Sequence, residues 1–295
     1  MDNGNEMRDF LVSRRARITP EEAGLPAYGG NRRVAGLRRE EVALLAGVSI
    51  DYYTRLERGR AAGASDSVLE GIARALRLDE AERAHLFDLA RAAARPGVAR
   101  APRRTAPQQV RPSVRRILDS MAATPAYVRN ARLDILAANR LGAALFASVL
   151  SSPAKPANNA RFLFLDPAAP EFYCDWERQA QEVVAILRTE AGRSPHDKGL
   201  SNLIGELSTR SEDFRGWWAA HNVRLHRTGI KRFRHPVVGE LTLTYDALDL
   251  AADAGLRISA YTAEPGTPSD DALKVLASWA ATLDQPTGAP AADKG

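Results

Sequence analysis

The residues best equipped for chemistry lie close together. From Leu37 to Arg60 the chain reads LRREEVALLAGVSIDYYTRLERGR. If this stretch ends in a helix, Tyr53 and Leu56 at i, i+3 take its inward face. Ser49, Ile50, Asp51, Tyr52 and Arg55 then face outward, carrying donors, acceptors and apolar groups suited to base edges in a major groove. The Arg55 fork matches guanine O6 and N7. Asp51 has two readings: an acceptor for cytosine N4, or a charge that complements the helix dipole and repels misplaced phosphates. Arg38 and Arg39 precede this helix and Arg58 and Arg60 follow it. These four are the phosphate candidates, a solvated basic rim being the alternative. Glu57, flanked by arginines, is expected to pair with Arg14 or Arg15.

Such a probe needs particular residues behind it. A helix crossing it needs a small residue, and Ala43 is one. The turn between the helices needs a residue that tolerates a left-handed backbone, which Gly47 does. Ser49 can accept from the first free N–H groups of the second helix. Val42, Val48, Tyr53 and Leu56 close a small core. An Ala-x3-Gly spacing alone is weak, but the whole string, with its Leu56-Glu57-Arg58-Gly59 exit, resembles the helix-turn-helix domain of the Xre/Cro family of bacterial regulators. A helical hairpin with a solvated charged face is the competing reading.

Around this pair, a first helix is expected over 6–18, with Phe10 and Leu11 inward. Thr19-Pro20-Glu21-Glu22 looks like a helix start. Pro26 to Asn31 reads as loop. Ser67 and Glu70 have capping-box spacing before a helix that buries Leu69, Ile72 and Leu76, and Asp79 with Glu82 repeats the device. The prolines and arginines of ARPGVARAPRRTAPQQVRP read as a linker, either a plain spacer or one that brushes a phosphate backbone. Beyond it, helix is expected at 114–121, 139–150, 176–191, 200–207, 213–220 and 270–283. Strands are expected at 126–128, 133–137, 230–234, 239–248 and 256–262, the run Glu240 to Tyr245 alternating with period two.

Composition sets the limits. The 295 residues suffice for two domains, with 45% hydrophobic and 26% charged residues arguing for a folded chain. Residues 1–110 hold 19 Arg against 15 acids, and residues 111–295 hold 22 Lys or Arg against 21 acids. The basic excess therefore lies with the helix-turn-helix, where it attracts phosphate. No apolar run is long enough for a membrane span. The start MDNGNEMRDFLVSRRAR lacks an apolar signal core, so a cytoplasmic location is expected. Cys174, the single cysteine, allows no internal disulfide and reads as core filler more than as a redox sensor. His196, His221, His226 and His235 have no metal-ligand spacing, and no nucleophile, Walker or dinucleotide motif is present. No catalytic residue, metal or cofactor is expected.

The second half carries a resemblance of its own. TPAYVRNARLDILAANRLGAALF, RFLFLDP, DWERQAQEVVAILR, ELSTRSEDFRGWWAAHNV, HPVVGELTLTYDAL and YTAEPGTPSDDALKVLASW are similar to the ligand-binding domain of the MmyB-like transcription regulators. The first half matches the same family, so the resemblance runs from about Phe10 to Trp279. It departs at the proline-rich SSPAKPANNA and at Asn222, where an acid is expected. The implied fold is α+β overall: an all-α five-helix Xre-type domain plus an α+β PAS-like domain with a five-stranded, mainly antiparallel sheet and flanking helices. The expected division is 1–94 for the DNA-binding domain, 95–112 for the linker, 113–284 for the ligand-binding domain and 285–295 for a loose tail. The resemblance implies a double-stranded DNA operator and a small apolar effector, with fatty acids as candidates. Phe164, Tyr173, Trp176, Phe214, Trp217, Trp218 and Phe233 are the candidate lining, ordinary core being the alternative. Arg129, Arg234 and His235 are possible carboxylate anchors. One small domain reads too few base pairs to find a site in a genome, so a homodimer through the second domain is expected. The competing readings are a scaffold whose second domain only dimerises or binds a protein, and an enzyme that regulates its own gene.

Overall fold

Caps and apolar spacing account for most of the helices near the N-terminus. The structure, a computed structural model, describes residues 3–25, 34–94, 108–152, 155–220 and 228–283. The whole expected 26–31 loop, most of the linker, the 285–295 tail, His221, Asn222 and His226 lie outside them. The first helices are α1 (Asn3–Arg15), α2 (Arg39–Ala46), α3 (Ile50–Glu57), α4 (Asp66–Ala75) and α5 (Glu80–Ala93). Ser49 starts α3 by accepting the Tyr52 N–H at 3.1 Å. Asp79 and Glu82 form a reciprocal capping box at α5, with bonds of 2.8 and 3.2 Å.

Two helix starts differ from expectation. Helix α4 is capped by Ser65, whose hydroxyl accepts from Val68, while Glu70 pairs with Arg83 instead of closing a box on Ser67. Thr19 and Glu22 do exchange their two hydrogen bonds, yet only a turn follows, ended at Gly24 with φ 74°. A single turn without an apolar stripe has nothing to offset the cost of nucleation.

The chain continues through α6 (Pro112–Ser120), β1 (Ala126–Arg129), β2 (Ile135–Ala138), α7 (Arg140–Leu145), α8 (Ala147–Leu150), α9 (Asn159–Leu165) and α10 (Ala169–Phe172). Next come α11 (Trp176–Arg193), α12 (Lys198–Arg210) and α13 (Glu212–Ala219), then β3 (Thr228–His235), β4 (Gly239–Asp249), β5 (Arg257–Thr262) and α14 (Pro268–Leu283). The expected single helix over 139–150 is two, α7 and α8, meeting at Phe146. The strands form one antiparallel sheet in the order β2-β1-β5-β4-β3. The alternation of β4 buries Leu241, Leu243 and Tyr245 and exposes the residues between them.

These elements make two compact units. One holds Met1–Arg104 together with Gln181–Leu225; the other holds Thr105–Ala180 together with His226–Gly295. Residues 181–225, assigned by sequence to the second domain, thus cluster with the first five helices. Nothing local in those residues announces this, because helix periodicity marks an apolar face but not its partner.

In the first unit, Met7, Phe10, Leu37, Val42, Tyr53, Leu56, Ile72 and Leu86 form a continuous core. Two glycines shape it for different reasons. Gly47 ends α2 with φ 69° and has open space around its missing side chain. Gly59 has φ 80° and also lies against the backbone of Gly4 in α1, leaving no room for a Cβ. Gly47→Ala should therefore cost about 1–2 kcal/mol, the left-handed penalty alone. Gly59→Ala should cost clearly more, since α1 must also move. Urea unfolding of the two variants measures the difference; equal losses would show that the α1 contact adds nothing.

Candidate nucleic-acid interface

Helix α3 presents one face and buries the other. Tyr53, Leu56 and Glu57 are buried, while Ser49, Asp51 and Arg55 are exposed and Tyr52 is half-buried. Ile50 is 53% exposed and adds an apolar group to the outward face. The Arg55 guanidinium carbon lies 5.5 Å from the Tyr52 ring centroid, so ring and cation steady each other on the outward face.

The back of the helix is held by charge. Glu57 is fully buried, and a buried carboxylate needs compensation. Arg15 of α1 donates Nε to it at 3.1 Å, and Arg39 of α2 donates Nε at 2.8 Å. Arg15 also donates to the Leu37 carbonyl at 2.7 Å, tying in the segment before α2. Burial, and then the Glu57 carboxylate, push the Tyr53 phenol well above its ordinary value, so it stays neutral beside the clamp. Of the two partners expected for Glu57, Arg15 is the one found. Arg14 is buried against Glu82 at 3.2 Å, and burial brings its pKa down to about 10 against the opposing pull of Glu82.

The four phosphate candidates differ in what they already bind. Arg58 and Arg60 are exposed just past α3. Arg38 is exposed and pairs with Glu40 at 3.3 Å, while its N–H is taken by Glu41. Arg39 is committed to Glu57 through Nε, although about half of its side chain remains exposed (47%). Sequence spacing could not reveal this commitment, since Arg39 and Glu57 approach only after α2 and α3 cross.

The candidate effector residues fall in different units. Phe164, Tyr173, Trp176 and Phe233 belong to the sheet unit; Phe214, Trp217 and Trp218 belong to the other. Phe233 is buried among Phe146, Phe172, Tyr173 and Tyr261, with ring centroids 5.4 to 5.9 Å away. Tyr173 donates its hydroxyl to Asn159 at 2.9 Å, and Trp176 donates to the Leu163 carbonyl at 2.8 Å. Phe164 is half-buried. Phe214 stacks on Trp218 at 5.6 Å, and Trp217 is half-buried.

The suggested anchors also differ. Arg234 is exposed and pairs with Glu240 at 3.5 Å. His235 is buried against the Ala144 carbonyl at 3.1 Å, and burial lowers its pKa. Arg129 is buried and donates to Ser259 at 3.3 Å. The sheet unit holds a further buried cation outside the sequence-based candidates, Lys231, with Nζ 4.6 Å from the Tyr245 ring centroid. Strand parity offered the signal, because Lys231 shares the inward face of β3 with Phe233 and His235.

A family model described as the MmyB-like transcription regulator ligand binding domain matches residues 110–276, and a helix-turn-helix domain model matches residues 14–86. The chain belongs to the MmyB-like transcription regulators. It is a DNA-binding transcription regulator that carries a ligand-binding domain, and α2 and α3 both lie inside the helix-turn-helix match. No curated protein matches the chain. Among the described residues, no helix is long and apolar enough to cross a membrane. The ligand-binding match includes residues 181–225, which cluster with the helix-turn-helix unit.

Removing the charge of Glu57 leaves Arg15, itself largely buried, without compensation. Glu57→Gln should lower stability by about 3 kcal/mol. Urea denaturation followed by circular dichroism measures this; a loss below about 0.5 kcal/mol, typical of surface changes, would show the clamp to be inert.

Proposed function

We propose that this regulator reads a specific duplex sequence through the exposed face of α3, works as a homodimer, and changes its DNA affinity when the sheet domain takes up a small apolar acid. The observation that carries the first part is the outward set on α3. Ser49, Ile50, Asp51 and Arg55 are exposed together on a helix fixed from behind by Glu57. Arg55 suits guanine, Ile50 suits the methyl group of thymine, and Ser49 keeps its O–H to donate while its oxygen caps the helix. Arg38, Arg58 and Arg60 meet phosphate on either side, with Arg39 doing so only through what its bond to Glu57 leaves free. Two copies on one operator supply the base pairs that one small domain lacks.

The effector reading rests on the inner face of the sheet. The strand order β2-β1-β5-β4-β3 agrees with a PAS-like domain. Arg129 and Lys231 bring two buried cations to a face that also carries Tyr127, Tyr245, Tyr261, Phe233 and Leu243. The hydroxyls of Tyr127 and Tyr261 lie 3.2 Å apart on that face. A carboxylate with an apolar tail is complementary to a face of cations and aromatic rings, so a fatty acid fits the chemistry. Such a ligand alters DNA affinity only through different affinity for two arrangements of the protein.

Arg55→Ala should cost about 1–3 kcal/mol on a cognate duplex and relax preference at one base pair. Arg60→Ala should weaken cognate and random duplexes alike and reduce the salt slope by about one. Fluorescence anisotropy at several salt concentrations reads both; equal losses on cognate and random DNA for Arg55→Ala would remove it from base reading.

Native mass spectrometry of the purified chain should show a dimer. Titrating a saturated long-chain fatty acid should change the operator affinity of the wild type and change it less in Arg129→Met. Flat affinity over micromolar to millimolar acid would reject the switch while leaving DNA binding intact.

A further inference from the structure

Arg188 is the most deeply buried charge of α11. Its Nη1 donates to Glu6 of α1 at 2.8 Å, and its Nη2 donates to the Trp218 carbonyl of α13. The guanidinium carbon lies 4.1 Å from the Trp218 ring centroid, and Phe214 stacks on the same indole. One arginine therefore joins three helices. Two further contacts run between the same segments. Arg193 pairs with Asp88 of α5 at 3.0 Å, and Gly192 lies so close to His85 that a Cβ would come within 2.7 Å of its ring.

Helix α1 carries these contacts onward. Its Gly4 abuts Gly59 just past the end of α3, and its Arg15 holds Glu57, the last residue of α3. The path from Arg188 through Glu6 and α1 to α3 lies inside one compact unit. It begins in residues that match the ligand-binding family and ends in the recognition helix. A buried ion pair holds its helices firmly, because a half-separated pair loses its Coulomb gain while staying desolvated. Such an element suits the fixing of one helix against another.

We propose that Glu6 and Arg188 are positioning residues for DNA recognition: helices α11 and α13 hold α1 through this pair, and α1 sets the end of α3 against the groove. The proposal rests on the DNA-binding reading above. It assigns to the ligand-binding segment a direct hold on the recognition helix, through a pair that itself touches no DNA.

The test uses the full chain with Glu6→Gln, Arg188→Gln and the double variant, and Arg210→Gln as a control for an exposed pair in the same segment. The first readout is affinity for a duplex selected from a random pool by the wild type, at several salt concentrations. The second is hydrogen exchange of residues 50–57 without DNA. Each single variant should weaken binding at least about fivefold with an unchanged salt slope, and the double variant should be no weaker than the worse single one. Exchange over 50–57 should quicken in both, while Arg210→Gln behaves as wild type. Affinities within twofold of wild type, additive losses, or unchanged exchange over 50–57 would overturn the proposal. If Arg188→Gln fails to fold, the near-isosteric Glu6→Gln decides by the same two readouts. If the wild type selects no duplex, the DNA-binding reading fails, and exchange over 50–57 still judges the link from Glu6 to α3.

Discussion

The burial of one carboxylate, Glu57, constrains the DNA-binding unit more than any other contact. A charge removed from water must be met by opposite charge and hydrogen bonds. Here the partners come from two other helices, Arg15 from α1 and Arg39 from α2. The three helices are thereby referred to a single point at the end of α3. Tyr53 and Leu56 fill the space beside it, and Gly59 allows the chain to leave past Gly4. A helix fixed in this way has few rotations open to it, so the fold itself sets the direction of its exposed face, with Ser49, Ile50, Asp51 and Arg55. Preorganisation of this kind reduces the ordering cost that binding must overcome.

The ligand-binding region follows a different plan. Its sheet buries aromatic rings in edge-on and tilted contact, which fixes a dense interior with phenol groups at its centre. Burial raises the Tyr173 and Tyr261 phenols well above their ordinary value, so they remain neutral donors and acceptors. Arg129 and Lys231 add positive charge on the same inward face. Helices α12 and α13, and all but the first residues of α11, cluster instead with the helix-turn-helix. The family's two-part description therefore does not coincide with the two compact units, and this mismatch gives the region a physical route to the recognition helix.

What the sequence revealed was local. Ser49 as a cap, Gly47 as a left-handed stop, the Asp79–Glu82 box and the alternation of β4 each involve residues a few positions apart, and each is found in place. The Ser67 and Thr19 signals were equally local, but neither began a helix: an earlier serine capped α4, and no apolar stripe followed Thr19. What stayed hidden was long-range. Arg39 and Glu57 are 18 residues apart, and Glu6 and Arg188 are 182 apart. No spacing rule links such pairs, because only the crossing of helices brings them together. The aromatic candidates for the lining are alike in chemistry, yet Trp218 joins Arg188 while Phe233 joins the sheet interior. Composition cannot distinguish those two destinations.

The central claim is that the aimed face of α3 reads a sequence. Selection of duplexes from a random pool by the full chain, followed by sequencing of the bound fraction, tests it most directly. The expected result is one enriched motif with two related half-sites about 10 base pairs, or a multiple of that, apart, bound about a thousandfold or more above random DNA. A pool that stays unenriched while still binding in low salt would mean that the protein only holds phosphate, and would contradict the account.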